Sequence, residues 1–164
     1  MRPRPDWTSP GQRSVWGLPS QAIAERCAAH ARIEYGGHLI ADTRASACTV
    51  ETIHQPSYYI PPNDLTAGVL RPVDTGSFCE WKGSATYWNV VIDSVVIPRV
   101  GWSYLDRTLT CAMLGKHDAF YGAPFDWSLV DGETVVPEAG SVCGGWATGA
   151  LAGPFNGIPG NIGW

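Results

Sequence analysis

The sequence predicts a mainly β fold: a single compact domain of short antiparallel strands and hairpins, a folded sheet or sandwich, with one or two short helices and a C-terminal strap. Three observations predict it. Gly and Pro number 19 and 13 in 164 residues, about a fifth of the chain where roughly 12% is usual, so the backbone turns often and long helices find little room. Apolar residues fall in short runs, several of them alternating, bounded by turn residues. Charged residues make up only 16% against 45% hydrophobic, which suits one apolar core and excludes a disordered polyelectrolyte.

Residues 1–19 carry Pro and Arg without periodicity and read as an arm, mobile or laid along the surface. The main domain then runs over 20–139. Ser20 to Ala31 has the Ala, Gln, Glu and Arg content of a short helix. The alternative orders only Ala31 to Tyr35, as the strand entering a hairpin at Gly36-Gly37 with His38 to Thr43 returning. Ala45 to Glu51 forms a further strand, and Tyr58-Tyr59-Ile60 a short one fenced by prolines. Pro62-Asn63-Asp64 has the start signature of a helical turn that leaves Leu65 and Leu70 to pack inward. From Ser84 both faces of an alternating strand are apolar, predicting a strand covered on two sides before the turn at Asp93-Ser94. Arg107 to Leu114 is the best remaining helix candidate, closed by Gly115. His117 to Tyr121 and Phe125 to Val130 read as strands, the latter joined to Thr134-Val135-Val136 through Asp131-Gly132-Glu133. Residues 140–164 hold eight Gly and two Pro, yet also Trp146, Leu151, Phe155 and Trp164. A flexible linker lacks such rings, so this segment is expected to pack as a strap over the domain.

The formal net charge is −4 and the only basic cluster is Arg2, Arg4 and Arg13. Nucleic acid is therefore not an expected partner, because phosphate neutralisation needs a clustered basic face. No apolar run is long enough to span a membrane and no secretory h-region is present, so a cytoplasmic location is expected. Five cysteines, Cys27, Cys48, Cys79, Cys111 and Cys143, never fall in C-x-x-C. Neither a structural metal nor a disulfide scaffold follows from that spacing, and most of the five are expected to be small buried residues.

No phosphate loop, zinc-protease helix or nucleophile elbow occurs. The run Phe78-Cys79-Glu80-Trp81-Lys82-Gly83-Ser84-Ala85-Thr86-Tyr87-Trp88 stands out, with a thiol and an amine three residues apart between bulky rings. An ammonium lowers the pKa of a neighbouring thiol, and burial lowers that of a lysine; either produces a nucleophile near neutral pH. The competing account puts Cys79 in the core and Lys82 on the surface.

Gly36-Gly37-x-x-Ile40-Ala41-Asp42-Thr43, Glu51-x-x-His54-x-Pro56-x-Tyr58-Tyr59-Ile60-Pro61, Leu70-Arg71-Pro72, Cys79-x-Trp81-Lys82-Gly83-x-Ala85-x-Tyr87-Trp88, Trp102-Ser103-Tyr104 and Ala119-Phe120-Tyr121 occur in this order. Together they resemble the DUF427 family from about Ile33 to Val136, and the Gly- and Trp-rich tail resembles the C-terminal extension of its longer members. The resemblance implies a small mainly β domain without an assigned biochemical role. A nucleotidyltransferase label sometimes attached to the family has no counterpart in paired carboxylates or a glycine loop. A distant likeness to β-tent folds, which carry zinc on two C-x-x-C turns, brings no metal to a chain lacking those cysteines. Two residues depart from the pattern: Cys143 stands where an aromatic is expected, and Glu80 where a Pro is usual. Glu80 favours a charged Lys82.

By that resemblance, Asp42, Tyr59, Cys79, Lys82, Tyr87, Trp102, Tyr104, His117 and Tyr121 are expected to meet in one cavity. Three readings follow. In the first, a cofactor-independent acid-base or lyase-like enzyme, Lys82 supplies a cation or amine, His117 or Asp42 moves a proton, and Tyr59, Cys79, Tyr87, Trp102, Tyr104 and Tyr121 hold a small metabolite. In the second, the same aromatic cleft is a noncatalytic binding site for a metabolite or peptide, with the strap as lid. In the third, the Trp-rich strap buries itself in a partner or in a second copy, making a homo-oligomer. No metal or organic cofactor enters any of them.

Overall fold

The computed structural model describes residues 4–79, 83–106, 109–137 and 144–155. Fifteen strands lie among them: β1 (Arg13–Ser14), β2 (Ile23–Cys27), β3 (Ala31–Tyr35), β4 (His38–Thr43), β5 (Ser46–Val50), β6 (Ser57–Ile60), β7 (Leu70–Cys79), β8 (Gly83–Ile92), β9 (Val95–Asp106), β10 (Asp118–Phe120), β11 (Trp127–Val130), β12 (Glu133–Thr134), β13 (Val136–Pro137), β14 (Trp146–Ala147) and β15 (Leu151–Ala152). The described helical residues are short 3-10 turns at Val15–Gly17, Pro62–Asp64 and Leu109–Leu114. The protein is thus mainly β, in several antiparallel sheets, with no closed barrel among the described residues.

Seven strands form the large sheet in the order β2-β5-β6-β10-β9-β8-β7, and four form a smaller one in the order β12-β11-β3-β4. The two sheets enclose one apolar core. Ala31, Ile33, Ile40, Ala41 and Val130 from the small sheet meet Tyr58, Ile60, Val90, Ile92, Ile97, Val100 and Phe120 from the large one. The packing follows from alternation: Ala31 and Ile33 are wholly buried, while Arg32 between them and Glu34 beyond face outward and pair with each other at 2.7 Å. The hairpin at Gly36-Gly37 has φ of 57° and 77°, and that at Asp131-Gly132 has 50° and 79°. These left-handed pairs give a twist that matches the flanking strands, as the Gly-containing turns predict.

Two helix expectations give way to other structures. Within Ser20–Ala31 the ordered element is strand β2, paired along its whole length with β5. Its helix-forming residues are overruled by the sheet edge they complete. The helix expected over Arg107–Leu114 is a 3-10 turn over Leu109–Leu114, broken at Cys111 (φ −118°, ψ 19°). That turn covers the outer face of the large sheet with Cys111 and Leu114, both fully buried. The arm and the strap meet each other: β1 runs parallel to β15, and the strap's Trp146 is buried with its indole N–H donating to the Phe120 carbonyl at 3.0 Å.

Candidate functional site

Backbone register assembles the outer face of the large sheet. Ala47 opposes Tyr59, Tyr59 opposes Ala119, Ala119 opposes Trp102 and Trp102 opposes Tyr87. Residues directly opposite share a face, so these five side chains form one row across five strands. Rings alternate with alanines until Trp102 meets Tyr87. Ala119 is small enough to leave a gap between its neighbours, across which the Trp102 indole donates to the Tyr59 hydroxyl at 3.2 Å. Tyr104, two residues along β9, lies 6.1 Å from the Tyr59 ring, and Tyr121, two residues beyond Ala119, lies 4.7 Å from that of Trp102.

The strap closes one end of this row. Gly144 has φ 63°, and a Cβ there would sit 2.3 Å from Trp102 and 3.0 Å from Tyr121. Only glycine fits both the backbone conformation and the approach. Beside it opens a recess of about 260 Å³, mainly apolar, lined by Pro98, Arg99, Tyr121, Pro124, Gly144 and Gly145 among others.

A bulge aims Arg99, the one cation among the described residues of that lining. The register of β8 and β9 shifts between Trp88 and Val90, so Pro98-Arg99-Val100 oppose Asn89. Arg99 has φ 49°, uncommon for any residue but glycine, and its amide donates to the Asn89 side-chain oxygen at 2.8 Å. Its guanidinium lies 4.2 Å over the Tyr87 ring, a cation–π contact that holds it at the margin of the recess. Sequence reasoning passed over Arg99. The signal was Pro98, since a proline within a strand marks a bulge or an edge.

Of the nine residues expected to converge, Tyr59, Trp102, Tyr104, Tyr121 and Tyr87 lie together in this cluster. Asp42 does not join them. It sits on β4 beside the buried Ala41 and so faces outward from the small sheet, with its carboxylate on His30 at 2.5 Å and Arg32 at 3.5 Å. His117 precedes β10 and is tied to the preceding turn, its Nδ1 donating to the Gly115 carbonyl at 2.9 Å. Lys82, with Glu80 and Trp81, lies outside the described residues, as does Cys143. Of Cys79 only the backbone is described, opposite Gly83 at the end of β7.

A second group escaped the sequence reading. Asp118 opposes Ser103 and is 7% exposed. The Trp88 indole donates to the Ser103 hydroxyl at 2.9 Å, and Ser103 in turn bonds Asp118. Burial pushes the Asp118 carboxyl up to about 6, against the smaller opposing effect of the Ser103 hydrogen bond. Alternation within His117–Tyr121 was the available signal, because it puts Asp118 on the same side as the core residue Phe120.

The chain belongs to the family described as a domain of unknown function, DUF427, whose model matches residues 23–134. That span holds both main sheets, the aromatic row and Arg99. Comparison with curated proteins returns no match.

Proposed function

We propose that the protein binds a small molecule with an apolar body and one anionic group in the recess beside Trp102 and Tyr121. The observation that carries this reading is the aim of Arg99. A backbone conformation that costs of order 1–3 kcal/mol in a non-glycine residue places the cation of the recess lining against an aromatic wall. A strained, positively charged residue beside an open apolar hollow is an arrangement suited to ligand capture. The volume suits a compact metabolite. Gly144 and Gly145 form the wall supplied by the strap, so the strap acts as a lid on the site. The acid-base reading has less support, since Asp42 is engaged on the other sheet and His117 is held by a carbonyl.

The test is thermal unfolding with a panel of small aromatic and aliphatic carboxylates, each paired with its neutral amide. A carboxylate present at 100 times its Kd stabilises by about 2.7 kcal/mol, a rise of roughly 5–10 °C for a chain of this size. The amide should give a much smaller rise. Arg99→Gly removes the backbone strain together with the cation, so the unliganded melting temperature should hold while the preference for carboxylates disappears. Equal responses to acids and amides in the wild-type protein, or a preference unchanged in Arg99→Gly, would refute the proposal.

A further inference from the structure

We infer that the recess selects aryl monocarboxylates, a single aromatic ring carried on a short tether from one carboxylate. This rests on the reading above, in which Arg99 takes the anionic group, and adds what walls, volume and charge demand of the rest of the ligand.

The walls come first. Of the ten residues lining the recess, three are prolines: Pro98 on β9, Pro137 on β13, and Pro124 in the turn that the Phe125 amide closes on the Gly122 carbonyl. A pyrrolidine ring is locked to its own backbone, so these walls stand ready and lose little freedom when a ligand arrives. Their C–H groups beside the amide nitrogen are electron-poor, whereas the face of an aryl ring is electron-rich. Aromatic grooves recognise proline-rich segments by the same complementarity, with host and guest exchanged. A saturated ring offers hydrophobic area alone. Tyr121, whose ring lies 4.7 Å from that of Trp102, adds an aromatic wall.

Volume sets the size. A cavity of about 150 Å³ takes one benzene ring. The recess holds about 260 Å³, enough for that ring with a short tether and a carboxylate, and too little to bury a second ring beside them.

Charge sets the valence. The lining holds Arg99 and no acidic residue. Tyr87 occupies one face of the guanidinium at 4.2 Å, and no hydrogen bond or ion pair among the described residues takes the N–H groups in its plane. A carboxylate bonds in that plane, so it does not compete with the ring for the face. One guanidinium compensates one carboxylate. A second anionic group on the same ligand would be desolvated without a partner.

The experiment is calorimetric titration of the full wild-type chain with phenylpropionate, its saturated analogue cyclohexylpropionate, its neutral amide, its biphenyl analogue and the dicarboxylate phenylsuccinate. The saturated acid is the more hydrophobic of the first pair, so a merely greasy hollow would prefer it. We expect the reverse, phenylpropionate binding about fivefold tighter, the size of an aromatic contact beyond its buried area. Phenylsuccinate should bind about tenfold more weakly than phenylpropionate, and the biphenyl acid no more tightly than it. Pro124→Ala, at an exposed turn position, should narrow the aryl preference while the preference of acid over amide stays. Cyclohexylpropionate binding as tightly as phenylpropionate, or phenylsuccinate binding as tightly, would overturn the inference and leave the anion site standing. Acid and amide binding alike would overturn the reading beneath it as well.

Discussion

The two faces of the seven-stranded sheet are built from the same strands yet solve different problems. The inner face is closed, with Ile60, Val90, Val100 and Phe120 sealed beneath the small sheet. The outer face carries Tyr59, Trp102, Tyr104, Tyr87 and Tyr121, and only a 3-10 turn and the strap are described as covering it. The second sheet excludes water from these residues, whereas a turn and a glycine segment leave a recess. The difference teaches that the inner face carries the stability, while the outer face retains polar ring edges and one strained arginine that stability alone does not need.

Substitutions can break this contrast. The largest effect is expected on the inner face, where Phe120→Ala should cost about 3–5 kcal/mol in chemical denaturation; a cost below about 1 kcal/mol would mean the two sheets do not share a tight core. Asp118 probes a buried charge-bearing group on that face. Its carboxyl titrates around 6 in the folded protein against the ordinary 3.8, so between those values the folded protein holds a proton that the unfolded chain has released. Stability should fall as pH rises from about 4 to about 6 and level off above, by up to about 3 kcal/mol. Asp118→Asn should flatten that slope and unfold at higher temperature than wild type at pH 7.5; an unchanged slope would assign the effect elsewhere.

On the outer face the expected costs are smaller. Gly144→Ala forces a side chain against Trp102 at a left-handed backbone position and should cost about 1–3 kcal/mol, with ligand-induced stabilisation falling too. Wild-type stability in that variant would show that the strap does not rest on the ring. Tyr59→Phe removes the acceptor of the Trp102 indole and should cost about 1 kcal/mol by thermal melting. A loss as large as that of Phe120→Ala would place the structural core on the outer face and reverse the contrast.

Much of this was legible. The Gly36-Gly37 and Asp131-Gly132 turns, the two-faced β8 and the family membership are local or patterned signals. The helix reading of Ser20–Ala31 failed because β2 takes its conformation from β5, where Cys48, 23 residues further along, opposes Glu25, and composition does not record such a pairing. The rings that lie together on the outer face could be named from their motifs, but Asp42 shows that belonging to the same family pattern does not put residues on a shared face.

Alternation and turn chemistry act over a few neighbouring residues, so several of the strands, the tight turns and the supply of rings are written locally in the chain. Long-range strand pairing alone sets Ala119 between Tyr59 and Trp102 and makes the bulge that swings Arg99 over Tyr87. Those outcomes depend on register between strands far apart in the chain, and a slip of one residue would turn every such side chain to the opposite face.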